Sequence, residues 1–349
     1  MLKYSGSWKA IFDMIETSII CCDDSICLVH PVLVLTATGK IICLYRECEF
    51  HDPVDFANFA YRVSDNGGQT WGERIIFAES RGGPDRNFDC LHCPCISRLS
   101  DGRLLVISEF LSGHENPETI RTARSQLWWS EDDGQTWSPP QATPIVGIVP
   151  AKICQTPGGV LITAAMTMQN DTHSFVASYR SQDGGETWQE PVLVVAGEHP
   201  LPHAPCGPSI VAMADGTLVC YLANKADATG LKCFSRDDGR TWEGPYPTLM
   251  PQLHSRPSAG LLRSGKVLVT YRHNQCENYL AYLESQDSAL CPDPKGQKGR
   301  LLAIAHQAGG GGYDDWVQLP DGQVLHVCGL ARDRPKYFLE SHLFRETDI

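Results

Sequence analysis

No stretch of about 18 consecutive uncharged apolar residues occurs in the 349-residue chain, so the sequence offers no membrane-spanning helix. The richest early run, Ile19-Ile20-Cys21-Cys22, is cut off at once by Asp23-Asp24. The first residues also lack a basic segment followed by an apolar one, so no secretory leader is expected. Positive charge is in deficit, with 29 Lys and Arg against 41 Asp and Glu and a net charge of −12. That balance argues against nucleic acid and anionic membrane as partners. An anionic substrate would have to be held by locally placed arginines. Blocks of like charge are missing too, and 42% hydrophobic residues give the chain material for a packed core. An even cysteine count is missing: fifteen thiols without a leader read as reduced, in a cytoplasmic protein. Cys90, Cys93 and Cys95 beside His92 have no second Cys/His pair at zinc-site spacing, and they read as small strand hydrophobes. No oxygen-rich calcium loop is visible. The expectation is therefore of no metal and no cofactor.

What the chain does have is repetition. The pattern Ser-x-Asp-x-Gly-x-Thr-Trp appears as Ser130-Glu131-Asp132-Asp133-Gly134-Gln135-Thr136-Trp137 and again at 181–188 and 235–242. A copy at 64–71 carries Asn66 in place of the Asp, and a decayed one survives at Ser285-Gln286-Asp287. Between the boxes, six apolar pairs of runs flank a turn glycine: Gly39, Gly102, Gly159, Gly216, Gly265 and Gly322. Glycine takes positive φ without penalty, so each reads as a hairpin. Hairpin, loop and hairpin make four strands in about 50–60 residues, the size of a propeller blade. A four-stranded blade cannot bury both faces alone, so the units stack radially. The fold expected is an all-β, six-bladed β-propeller of four-stranded antiparallel blades, filling residues 1–349 as one domain. Residues 337–344 should supply the third strand of the last blade and residues 17–22 its fourth, closing the ring. The spacing of Trp8, Ile11, Phe12 and Ile15 predicts a short capping helix.

The boxes are turn devices, their Ser and Asp side chains bonding nearby backbone N–H groups while Trp packs between blades. Chemistry is expected elsewhere, at the starts of the inner strands, roughly ten residues before each turn glycine. Those positions hold His30, His92, Lys152, His203, His254 with Arg256, and Tyr313 with Asp314. A ring of polar, titratable residues at one level in six blades points to a ligand site.

The boxes resemble those of the sialidase (neuraminidase) superfamily, the bacterial neuraminidase repeat or Asp-box proteins, over nearly the whole chain. The resemblance implies a six-bladed propeller with its active site on the axis, opposite the boxes. It implies an arginine cluster that clamps the substrate carboxylate through bidentate forks. It also implies a Tyr nucleophile whose proton passes to a neighbouring Glu, and an Asp general acid in a loop after the first hairpin. Residue by residue, Tyr313 in Gly312-Tyr313-Asp314-Asp315-Trp316 resembles the nucleophile, and Arg256 one clamp arginine. Asp52 stands where the family carries its acid, with His51 and Asp55 beside it. Other positions depart. The first family arginine falls within Leu28-Val29-His30-Pro31, the glutamate falls on Gly207, and the second clamp arginine falls near Ala223. Arg46 and Arg272, at the ends of second strands, are expected to repopulate the clamp. His203 or His254 would take the proton of Tyr313, and His30, His92, Asp89 and Lys152 would line the substrate.

Three readings follow. The first is an exo-acting sialidase-like hydrolase releasing a sialic acid or related acidic sugar from an oligosaccharide or glycoconjugate. The second is a polysaccharide lyase or histidine-dependent glycosidase acting on a uronic-acid glycan. The third is a non-catalytic carbohydrate-binding propeller, favoured by Gly207 and Ala223.

Overall fold

The computed structural model describes residues 15–23, 25–49, 56–81, 89–112, 116–170, 173–195, 205–253, 255–273, 278–306, 313–331 and 337–349. Six four-stranded antiparallel sheets arranged in a ring form a six-bladed propeller. Blade 1 comprises Cys27–Leu35, Ile41–Cys48, Phe56–Ser64 and Ile75–Arg81. Blade 2 comprises Asp89–Arg98, Leu104–Ser112, Arg124–Ser130 and Gln141–Val146. Blade 3 has Cys154–Gln155, Leu161–Met168, Ser174–Ser181 and Val192–Val195, and blade 4 has Pro205–Ala212, Leu218–Asn224, Gly230–Ser235 and Glu243–Pro247. Blade 5 has Ser258–Leu261, Val267–Arg272, Asn278–Glu284 and Gly299–His306. Blade 6 is built from Asp314–Gln318, Gln323–Ala331 and Tyr337–Arg345, and its outer strand is Glu16–Asp23. Glu16 pairs with Leu343 and Asp23 with Tyr337, so the first described strand seals the last blade. The helix expected around residues 8–15 falls outside the described residues except for Ile15, which is buried. No helix among the described residues is long and apolar enough to cross a membrane.

Period-2 alternation decides which neighbour each side chain meets. Val32, Val34, Ile42 and Leu44 of blade 1 face blade 2, packing with Ile96, Leu104, Val106 and Trp128. The intervening Leu33, Ile41, Cys43 and Tyr45 face blade 6, packing with Leu319, Leu325, Val327 and Leu339. Both faces of a strand are thus apolar, which is why the inner strands read as nearly unbroken hydrophobic runs.

All six hairpin glycines have positive φ, between 81° and 94°. In each, the glycine N–H bonds the carbonyl three residues back, as in Gly265 N to Leu262 O at 2.8 Å. This is a type I turn followed by a left-handed residue. In the boxes the serine Oγ accepts the glycine N–H at 2.9 Å for Ser64 and 2.8 Å for Ser130, Ser181 and Ser235. The same hydroxyl donates to the carboxylate two residues on, 2.9 Å for Asp132. Asp132 Oδ1 accepts the Thr136 N–H at 2.8 Å and Oδ2 the Thr136 hydroxyl at 2.6 Å. The box tryptophans reach the preceding blade: Trp137 stacks on Phe77 at 5.0 Å, and Trp242 Nε1 donates to Ser178 Oγ at 2.9 Å. The decayed copy has lost its glycine and tryptophan, and its Ser285 instead caps the short helix Gln286–Ala289.

Candidate functional site at the propeller axis

Five inner strands approach the axis through an X-Pro pair: His30-Pro31, Cys93-Pro94, Val149-Pro150, Gly207-Pro208 and Arg256-Pro257. Four of the residues before proline lie in the left-handed region, at φ 55° for His30, 39° for Cys93, 52° for Val149 and 57° for Gly207. In blades 1, 2 and 4 the register jumps across the pair, between Val29 and Val32, His92 and Cys95, and Cys206 and Ser209. Proline offers no N–H to the ladder, and a bulge re-aims the side chain beside it. The alternation that fills the inter-blade core is therefore interrupted at the hub, where His30 and Cys93 sit.

Side chains from four blades meet there. The Tyr313 ring contacts both the His30 imidazole, stacked at 4.9 Å and 29°, and the Arg256 guanidinium, 4.7 Å from its centroid. His30 meets His92 edge to face at 4.9 Å. Arg256 Nη1 donates to Cys95 Sγ at 2.8 Å, joining blade 5 to blade 2. Burial would lower the Arg256 pKa, but Cys95, Cys93, Tyr313 and Asp315 outweigh it, so the guanidinium stays charged. Beneath this layer Asp315 ties the hub together. Its Oδ2 accepts the Leu33 N–H at 2.6 Å and pairs with Lys152 Nζ at 2.5 Å, and its Oδ1 accepts the Ser258 hydroxyl at 2.5 Å.

Glu109 is the hub residue that sequence reasoning missed. It stands opposite His92 in the second strand of blade 2 and is fully buried. Its Oε1 lies 3.0 Å from His92 Nδ1 and accepts the Val149 N–H at 3.2 Å, while Oε2 has no hydrogen-bond partner among the described residues. Burial pushes its carboxyl up to about 8, against the smaller lowering pull of its hydrogen bonds and of Arg256. The unfolded chain releases this proton near 4.5 and the folded chain holds it to about 8, so folded stability falls as pH rises through that window. Glu109→Gln is expected to remove the slope, matching wild type at the acid end and exceeding it above the window. Denaturant titrations at a series of pH values test this; a variant retaining the full slope would refute it.

The remaining expected site residues divide. Asp52, His203, His254 and the loop and glycine segments 82–88 and 309–312 lie outside the described residues. Asp89 opens the first strand of blade 2, and its side chain lies outside the described set. Lys152 is committed to Asp315 and to the Leu33 carbonyl at 2.9 Å. Arg46 is wholly buried, its Nε donating to the Leu91 carbonyl at 2.8 Å and its Nη2 lying 3.5 Å from Cys90 Sγ, which ties blade 1 to blade 2. Arg272 ends the second strand of blade 5 and is half-buried, two residues beyond Thr270, which pairs with Ser258. Gly207 is closed to any side chain, since a Cβ there would lie 2.5 Å from Arg256 Cα and 2.8 Å from its N. Gly207→Ala is expected to lose about 2 kcal/mol or more, from the left-handed backbone and the overpacking together. Urea unfolding reads this directly, and an unchanged midpoint would contradict it.

Two histidine–cysteine clusters have metal-ligand spacing: His30, His92 and Cys93 at the hub, and His326, Cys328 and His342 in blade 6. At the hub, Cys93 Sγ is 3.1 Å from His92 Nδ1, the nitrogen that Glu109 already engages, and 3.9 Å from His30 Nε2.

The family model for the BNR repeat-like domain matches residues 55–337. A sialidase from Paraclostridium sordellii is 23% identical over 256 residues, which span 66% of this chain and 59% of that relative's length. Among solved structures, a protein of unknown function from Dyadobacter fermentans superposes with a TM-score of 0.78 at 17% identity, covering 95% of this chain and 98% of that one. The NanB sialidase of Streptococcus pneumoniae gives 0.74 at 11% identity, covering 95% of this chain and 71% of that one.

Proposed function

This chain belongs to the BNR repeat-like family within the sialidase superfamily, and from that premise we propose that it is an exo-acting glycoside hydrolase releasing a sialic acid or a closely related acidic sugar. The observation that carries the reading is Tyr313 held against both His30 and Arg256, residues of three different blades. A sugar with a carboxylate on its anomeric carbon repels an anionic nucleophile, so a neutral phenol suits it where a carboxylate would not. Arg256, which lies over the Tyr313 ring, and Arg272, which ends the neighbouring strand of the same blade, are the residues that would hold the substrate carboxylate. The phenol must lose its proton as it attacks. Because Gly207 is closed to a glutamate, that proton goes to the His30, His92 and Glu109 group. Asp52 serves as the leaving-group acid on the sequence argument alone. Incubation with a fluorogenic sialoside and with sialyl-oligosaccharides tests the proposal, with free sialic acid as the expected product. A product bearing a new conjugated double bond, seen by its near-ultraviolet absorbance on uronate glycans, would instead mark a lyase. Tight glycan binding without turnover would mark a binding propeller.

A further inference from the structure

Blade 6 contains a second cluster, away from the axial side chains, that the hydrolase reading leaves unused. His326 and Cys328 alternate along its middle strand, and His342 stands directly opposite His326 on the next strand, so all three share one face of the sheet. Their exposures are 0%, 0% and 3%, and their ligand atoms lie within 4.8 Å of one another. His326 Nδ1 faces His342 Nδ1 at 3.4 Å. An ion bound tetrahedrally by two imidazoles sets its nitrogens about 3.3–3.4 Å apart. The other nitrogen of His326, Nε2, lies 3.2 Å from Asp314 Oδ2, and both groups are wholly buried. A carboxylate on the far nitrogen fixes the tautomer that leaves Nδ1 as a lone pair, the arrangement that supports a metal-bound histidine. The two nitrogens cannot both donate to each other, so either a proton or a cation lies between them. Tyr279 and Ala305 of blade 5 pack against Cys328, and Glu340 lies directly across the ladder from it on the same face. The hub cluster lacks this organisation, because there Glu109 takes the very nitrogen that faces the thiol.

We propose that His326, Cys328 and His342 form a structural zinc(II) site at the blade 5–blade 6 junction, backed by Asp314. Two imidazoles and one thiolate are a borderline-soft donor set suited to zinc, and burial of all three keeps solvent from competing for the ion. Binding releases the Cys328 thiol proton to solvent and involves no redox change. The site would pin the strand that begins one residue after Tyr313, since Asp314 is shared between the two. The inference does not depend on the hydrolase reading.

The test is metal analysis of the full chain, made without a metal-binding tag and folded with zinc supplied. One zinc per chain is expected. His326→Asn, Cys328→Ser and His342→Asn should each lower zinc occupancy at least tenfold, while Cys93→Ser keeps it. Chelation should lower the thermal midpoint of wild type and leave that of Cys328→Ser unmoved. Should these variants fail to fold, wild type reconstituted with cobalt(II) decides the matter, by the thiolate-to-metal charge-transfer band and the tetrahedral visible bands together. Absence of stoichiometric zinc, zinc lost with Cys93→Ser but kept by Cys328→Ser, or a cobalt spectrum without the thiolate band would each overturn the site.

Discussion

Tyr313→Phe is expected to lower sialoside turnover by roughly 10³-fold or more, the scale at which loss of a nucleophile registers. The ring contacts that hold Tyr313 use its π system, which phenylalanine keeps: the His30 imidazole stacked at 4.9 Å and the Arg256 guanidinium 4.7 Å from the ring centroid. Only the hydroxyl is deleted, and the residue is not fully buried, so folding should be little affected. The loss should therefore fall on kcat, with binding of a sialic acid product retained. Steady-state kinetics and product-binding calorimetry read the two effects separately. A variant with near-normal kcat would remove Tyr313 from the chemistry, whatever the substrate proves to be.

Asp315→Ala should cost about 2–3 kcal/mol of stability, the scale for leaving buried hydrogen-bonding groups unpaired. Its carboxylate is 1% exposed and reaches Leu33 of blade 1, Ser258 of blade 5 and Lys152 ahead of blade 3. Alanine strands the Leu33 N–H away from water and removes the acceptor of the Ser258 hydroxyl, while Lys152, 32% exposed, keeps the Leu33 carbonyl and solvent. Asp315→Asn should cost less, because an amide oxygen still accepts one of these bonds. The double variant with Lys152→Met should lose less than the sum of the singles, since Lys152→Met alone leaves the buried Asp315 carboxylate without its cation. Denaturant unfolding of the four proteins measures this coupling, and additivity within about 0.5 kcal/mol would mean that no coupled pair exists.

The architecture was legible because its signals are local and repeated. Each turn glycine needs a left-handed backbone, and each box serine and aspartate finds its partners within four residues, so position along the chain fixes structure. The hub was only partly legible, because contacts there join residues far apart in sequence. Tyr313 and Arg256 were found by their motifs. Arg46 stood at a similar strand end to Arg272, and nothing in its neighbours announced that one would be wholly buried and the other left half-buried. Glu109 looked like a lone acid in an apolar strand; its signal was its register opposite His92. The X-Pro pairs were a better ruler for the inner strands than distance to the turn glycine. Aligned on proline, His30, Cys93, Val149, Gly207 and Arg256 fall into one column, which sets Cys93 and not His92 level with the bulge. The blade 6 cluster escaped notice because its third member lies across a strand pairing and not along one strand.

Residues 16–23 complete their hydrogen bonds only with residues 337–345. At about 5–20 residues per second of synthesis, the early strand waits on the order of tens of seconds for its mate. Until then the early segment carries unpaired backbone able to join a foreign strand, because the only sheet that takes it is the last one made. Closure of the wheel is late by construction, and the interval before it is when misplaced pairing competes.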